Sequence, residues 1–116
     1  MDTQTIERTT LSNLIYNENY TRKVLPFIKG TYFEVREERI IFEEISNFVD
    51  KYKKIPTQTS LEIEVGERKD LSEIEYKKVV DIIKTLNPVE VDFDWLVDHT
   101  EKFCKDKAIH LSLIHI

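Results

Sequence analysis

Apolar residues recur along this chain at helical rather than alternating intervals. Ile6, Leu11, Leu14 and Ile15 come first, the polar stretch Tyr16-Asn17-Glu18-Asn19 interrupts them, and Tyr20, Val24, Leu25 and Ile28 resume the pattern. The spacing predicts two short helices parted around residues 17–19, with Pro26 disturbing the second and Gly30 ending it. Tyr32 and Phe33 follow in a connection, where their rings are expected to fold back over the core. The clearest stripe is Ile41, Phe42, Ile45, Phe48, Val49 and Tyr52, one continuous face over three turns. Position 48, four residues after Glu44, is Phe, so this helix is expected to rest on its buried face rather than on ion pairs. Lys51, Lys53 and Lys54 suit the negative pole of its C-terminus, and Ile55-Pro56 should stop it.

Residues 57–67 carry two readings. Leu61-Glu62-Ile63-Glu64-Val65 alternates with the period of a strand, yet a lone strand has no partner here. A helix beginning at Thr57 or Thr59 and ending at Gly66, or irregular structure, is favoured. Ser72-Glu73-Ile74-Glu75 makes a capping box, from which Tyr76, Val79, Val80, Ile83 and Leu86 run to a stop at Asn87-Pro88. The last helix should start near Asp92 or Asp94 and reach about Ile109. Leu96, Phe103 and Leu111 lie along its main face, with Trp95 off to one side. The final Leu111-Ser112-Leu113-Ile114-His115-Ile116 is unexpectedly apolar and points to a domain cut from a longer chain, residues 111–116 being a truncated or non-native end. The fold class is therefore all-α, a small helical bundle within a single domain spanning 1–116.

Composition narrows the function. With 116 residues there is room for one modest core. Of the two glycines, Gly30 and Gly66, neither sits in a phosphate-cradling loop, so the chain has no P-loop and no dinucleotide fingerprint. The single Cys104 excludes an internal disulfide and a thiolate zinc cluster, and its apolar setting favours a buried small hydrophobe. The N-terminus shows no secretory pattern and no run is long enough to span a membrane, which makes an intracellular location the expectation. Residues 1–60 carry nine charges of each sign, so the net charge of −5 arises wholly in residues 61–116. Nucleic-acid binding by this chain alone is thereby weakened.

The search for chemistry yields little. His99 has no His-x-x-x-His partner, and Asp94, Asp98 and Glu101 read better as helix capping and a solvated face than as cation ligands. No catalytic, cofactor-binding or metal-ligating residue is assigned; a small metal-dependent hydrolase built on Asp94, Asp98, Glu101 and His99 remains a rival. Aromatic residues near segment ends favour an interaction surface instead. Phe33 reads as core, whereas Trp95 is the residue most readily assigned to a partner.

The stretch from Leu11 through Tyr20, then Val24-Leu25-Pro26-Phe27-Ile28, Tyr32-Phe33, the helix at Ile41-Phe42, Ile55-Pro56-Thr57 and Phe93-Asp94-Trp95-Leu96-Val97 resembles the N-terminal domain of replicative hexameric DNA helicases of the DnaB type, in particular their T4-like phage members. The likeness covers roughly residues 10–110 and rests on order and spacing rather than on one motif. It implies a helical bundle ending in a helical hairpin, which forms a collar on a hexamer, packs on neighbouring copies and helps recruit primase and the helicase loader. Leu11, Leu14, Ile15, Phe33, Ile41, Phe42 and Ile45 are the implied core. Val79, Ile83, Phe93, Trp95, Leu96 and Phe103 are the implied hairpin and candidate protein interface. The resemblance places ATP and Mg²⁺ in a separate motor domain, single-stranded DNA in the full assembly only, and the protein in the host cytoplasm if phage-encoded. The alternative is a free-standing helical adaptor or regulatory module.

Overall fold

A computed structural model describes residues 3–114, and every regular element in them is helical. The order is α1 (Thr3–Tyr16), α2 (Glu18–Val24), two short 3-10 turns (Leu25–Phe27 and Gly30–Tyr32), α3 (Arg36–Tyr52), α4 (Gln58–Gly66), α5 (Glu73–Thr85) and α6 (Phe93–Ile114). The Cα radius of gyration is 13.9 Å, close to the ~13 Å expected of one domain near this length.

Local chemistry sets the boundaries. Asn17 separates α1 from α2 and caps the latter, its side chain accepting from the Tyr20 amide at 3.1 Å. Pro26 sits at the start of the first 3-10 turn, where its missing N–H costs nothing. Gly30 does not end a helix; it opens the second 3-10 turn, with no left-handed backbone. Arg39 holds this connection by donating to the Phe33 and Glu34 carbonyls, both at 3.1 Å. The ambiguous stretch 57–67 forms a helix over Gln58–Gly66: the Thr57 and Ser60 side chains cap each other's backbone amides, while Leu61 and Val65 are buried four residues apart. The expected box at Ser72 and Glu75 is present. α3 stops before Pro56 is reached, at Lys53, whose φ of 58° is left-handed.

The core gathers Leu11, Leu14 and Ile15 of α1, Tyr20 and Val24 of α2, Ile41, Phe42 and Ile45 of α3, Val79 and Ile83 of α5, and Leu96 and Phe103 of α6. Phe33 folds back as expected and is fully buried, stacked on Phe42 with centroids 5.3 Å apart and tilted against Phe103 at 6.0 Å. The α3 stripe fades at its end: Phe48 is half-buried, Tyr52 is exposed, and the two rings meet at 4.7 Å. Ion pairs do contribute to α3. Glu38 is buried beside Arg8 of α1, and Glu44 meets Arg68 at 3.1 Å. Sequence spacing within α3 cannot reveal either, because both partners lie outside that helix.

The expected C-terminal hairpin takes a different form. α5 packs chiefly on α3 and α4, whereas α6 packs on α2 and α1, so the two helices are not a mutually packed pair. Tyr20 explains the second arrangement, since its hydroxyl shares a 2.6 Å hydrogen bond with Thr100 in the interior. Gln58 explains the first, donating from the N-terminus of α4 to the Ile83 and Leu86 carbonyls at the end of α5. α6 also outruns Ile109, continuing to Ile114 with no Pro or Gly to stop it.

Candidate protein-interaction surface

Pro88 separates α5 from α6 by ending the helical pattern, and the residues after it, as far as Asp92, form no regular element. Their start is anchored from two sides. The Leu86 carbonyl accepts from Gln58 at 2.6 Å and from the Tyr16 hydroxyl at 3.2 Å, with the Leu86 side chain buried. Their end is fixed by Asp92, whose carboxylate accepts from the Trp95 amide at 2.9 Å and so caps α6.

Between these anchors residues 87–95 are all exposed. Val89, Val91, Phe93 and Trp95 alternate there with Glu90, Asp92 and Asp94. An amphipathic strand would bury one of those sets; here both face water. Residues 85–101 carry five acidic side chains and no Lys or Arg, a local excess equal to the net charge of the whole chain. Trp95 stacks on His99 with centroids 4.0 Å apart, and His99 donates from Nδ1 to the Trp95 carbonyl at 3.1 Å. The ring is thus held at the surface one turn into the helix, 36% exposed.

The six candidate interface residues divide. Val79, Ile83 and Leu96 are fully buried and Phe103 nearly so, which makes them core in this structure and leaves them nothing to offer a partner. Phe93 and Trp95 remain on the surface, together with Val89 and Val91, which sequence reasoning passed over. The signal was the alternation of apolar and acidic residues just after Pro88.

A second surface was also missed. An open groove of about 430 Å³ lies between α2 and the C-terminal half of α3, with Leu25, Val49 and Ile55 lining it and Arg22, Lys53 and Lys54 on its rim. Glu18 pairs with Arg22 at 2.9 Å, and Asp50 is the other acidic group present. A smaller hollow of about 310 Å³ is lined by Phe27, Tyr32, Cys104 and Ala108. Cys104 is buried, and desolvation, with Glu101 adding to it, pushes its thiol up to about 11. That environment disfavours the thiolate a nucleophile would need.

Among the described residues no group of three or more His, Cys, Asp or Glu is gathered closely enough to hold a metal ion. Asp94 and Asp98 stand on the exposed face of α6, and His99 is committed to Trp95. No helix among the described residues is long and apolar enough to cross a membrane. The end residues His115 and Ile116 lie outside the described residues.

No family model matches the chain. Comparison with known proteins agrees with the resemblance drawn from residue order, as the chain is similar to the DnaB-like replicative helicase of Enterobacteria phage T4. It spans 21% of that relative's length, a share consistent with an N-terminal domain. With 32% identity over 99 residues, 85% of its own length, the chain is a helical domain related to part of a DnaB-like replicative helicase.

Proposed function

We propose that this chain is the N-terminal collar domain of a replicative DNA helicase, which associates with neighbouring copies around a hexameric ring and offers a docking face to primase and the helicase loader. The observation that carries the proposal is the sequence relationship itself, which runs through nearly the whole bundle yet covers only a fifth of a helicase. A role without nucleotide chemistry fits the two glycines, neither of them in a phosphate loop. ATP and Mg²⁺ then belong to a motor domain elsewhere in the protein, and single-stranded DNA meets the full assembly. The mechanism is mechanical: contacts between copies hold the ring closed, and a tethered primase gains effective concentration near the unwound strand.

Sedimentation of the chain from low to high micromolar concentration tests this reading. Weak, reversible self-association without ATPase activity is the expected outcome; a strictly monomeric species at high micromolar concentration overturns the collar role. Titration with the cognate primase, followed by the change in sedimentation, tests the docking role separately.

A further inference from the structure

The turn that follows α3 gathers features for which the collar role has no use. Residues 51–61 carry three lysines and no Asp or Glu, and Lys51, Tyr52, Lys53 and Lys54 are consecutive and all exposed. Among the described residues none of the three ammonium groups pairs with a carboxylate. Glu43 and Glu44 are drawn away to Arg68 at 3.4 and 3.1 Å, and Asp50 is the single acid in the last two turns of α3. Compensating the helix end accounts for Lys51, which lies in its last turn, but not for Lys54, which lies beyond the cap. Lys53 is the one non-glycine residue with left-handed backbone among the described residues, so a cation is kept there at some conformational cost. Tyr52 adds a ring to the cations. It is 46% exposed and propped against the half-buried Phe48 with centroids 4.7 Å apart, and the Lys51 ammonium lies 5.2 Å from its centre.

We propose that this turn binds single-stranded nucleic acid, with a base stacked on Tyr52 and the flanking phosphates on Lys51, Lys53 and Lys54. Cations alone accept any polyanion. A ring set among them selects a partner whose repeating unit offers both a negative charge and a flat π-face. An acidic peptide supplies only the charge, and a duplex keeps its bases stacked inside. Three cations and one ring make a weak site, in keeping with a chain whose net charge is −5, and such a site reads no sequence. It lies within one copy, so it goes beyond the collar reading and does not depend on it. Where copies gather as proposed above, the contact is repeated once per copy and gains by effective concentration.

Fluorescence anisotropy of a labelled oligodeoxythymidylate of about twelve nucleotides, titrated with the chain at low salt, tests the site. Saturable binding is expected, with log affinity falling against log salt at a slope of about −2, as three contacts to a single strand give. Tyr52→Leu should weaken binding about tenfold, whereas Tyr52→Phe should keep it. Lys51→Gln/Lys54→Gln leaves the Lys53 turn in place and should bring the slope to about −1. Lys77→Gln/Lys78→Gln removes the same charge from exposed positions of α5 and should leave affinity and slope nearly as they are. Circular dichroism with thermal unfolding confirms that each variant folds. Absence of saturable binding by the unmodified chain overturns the proposal and leaves the collar reading to the sedimentation test. Equal weakening by the α5 variant assigns the binding to net charge and overturns the site. If oligoglutamate or duplex DNA competes as well as the single strand, or Tyr52→Leu binds like the unmodified chain, the stacking ring is wrong and the choice of partner falls with it.

Discussion

Glu38 places a carboxylate inside the bundle, fully buried beside Arg8 at 3.3 Å in a contact not aligned as a hydrogen bond. Glu7 lies buried nearby, accepting from the Glu34 amide at 3.2 Å. Desolvation raises both carboxyls above the ordinary value of 4.5, with Arg8 partly opposing it at Glu38 and the Glu34 amide at Glu7. Burial likewise raises Glu44, against the pull of Arg68. A carboxyl raised on folding contributes stability that is complete below its unfolded value and is lost as pH rises through its folded value. Glu34, bonded to Lys107, and Asp70, bonded to Arg68, are lowered, so their contribution holds above the ordinary range and disappears as pH falls through it. Urea unfolding should therefore show the protein gaining stability between pH 7 and pH 5 and losing it under more acid conditions. The variant Glu7→Gln/Glu38→Gln should lose most of that gain. An unchanged difference between pH 7 and pH 5 in the variant would assign the slope to other groups.

Lys53 ends α3 in the left-handed conformation, with its amide bonded to the Val49 carbonyl at 2.8 Å, an arrangement glycine adopts at lower cost. Lys53→Gly should raise stability by about 1 kcal/mol, read from the thermal midpoint in dilute, high-salt solution where copies do not meet. A lower midpoint would mean that the lysine stem contributes more than the backbone strain costs. The stop itself was visible in the sequence only as Pro56, three residues late, because a left-handed cap need not announce itself with Gly. Elements whose signals are local were legible: the Ser72–Glu75 box, the Asn17 break, and the stripes of α3 and α5. The α5–α6 relationship was not, since it is decided by Gln58 reaching Leu86 and by Tyr20 meeting Thr100, 28 and 80 residues apart. The same limit divided the candidate surface. Periodicity shows that Val79, Ile83 and Leu96 are apolar on one face, but it cannot say whether their own bundle or a partner covers that face. Trp95 was legible because it stands off its stripe.

At the scale of the whole molecule, charge and apolar exposure converge on one region. The first sixty residues are balanced, and the acid excess of residues 85–101 sits on the exposed valines and rings that lead into α6. A surface that merely keeps a domain soluble would separate these features; interleaving them fits a contact that desolvates apolar groups and selects its partner by charge. Trp95 and Leu96 are adjacent in sequence and opposite in role, which makes them a paired test of that argument. Leu96 is fully buried, and Leu96→Ala should cost about 2–5 kcal/mol of folding stability. Trp95 is part-exposed over His99, so Trp95→Ala should cost about 1 kcal/mol or less. Large, rigid rings dominate protein contacts, however, and the same substitution should weaken self-association about tenfold. Thermal unfolding and sedimentation on the same samples separate the two effects. Trp95→Ala with an unchanged dissociation constant would remove the ring from the interface, whereas a loss of stability as large as that of Leu96→Ala would make it a core residue after all.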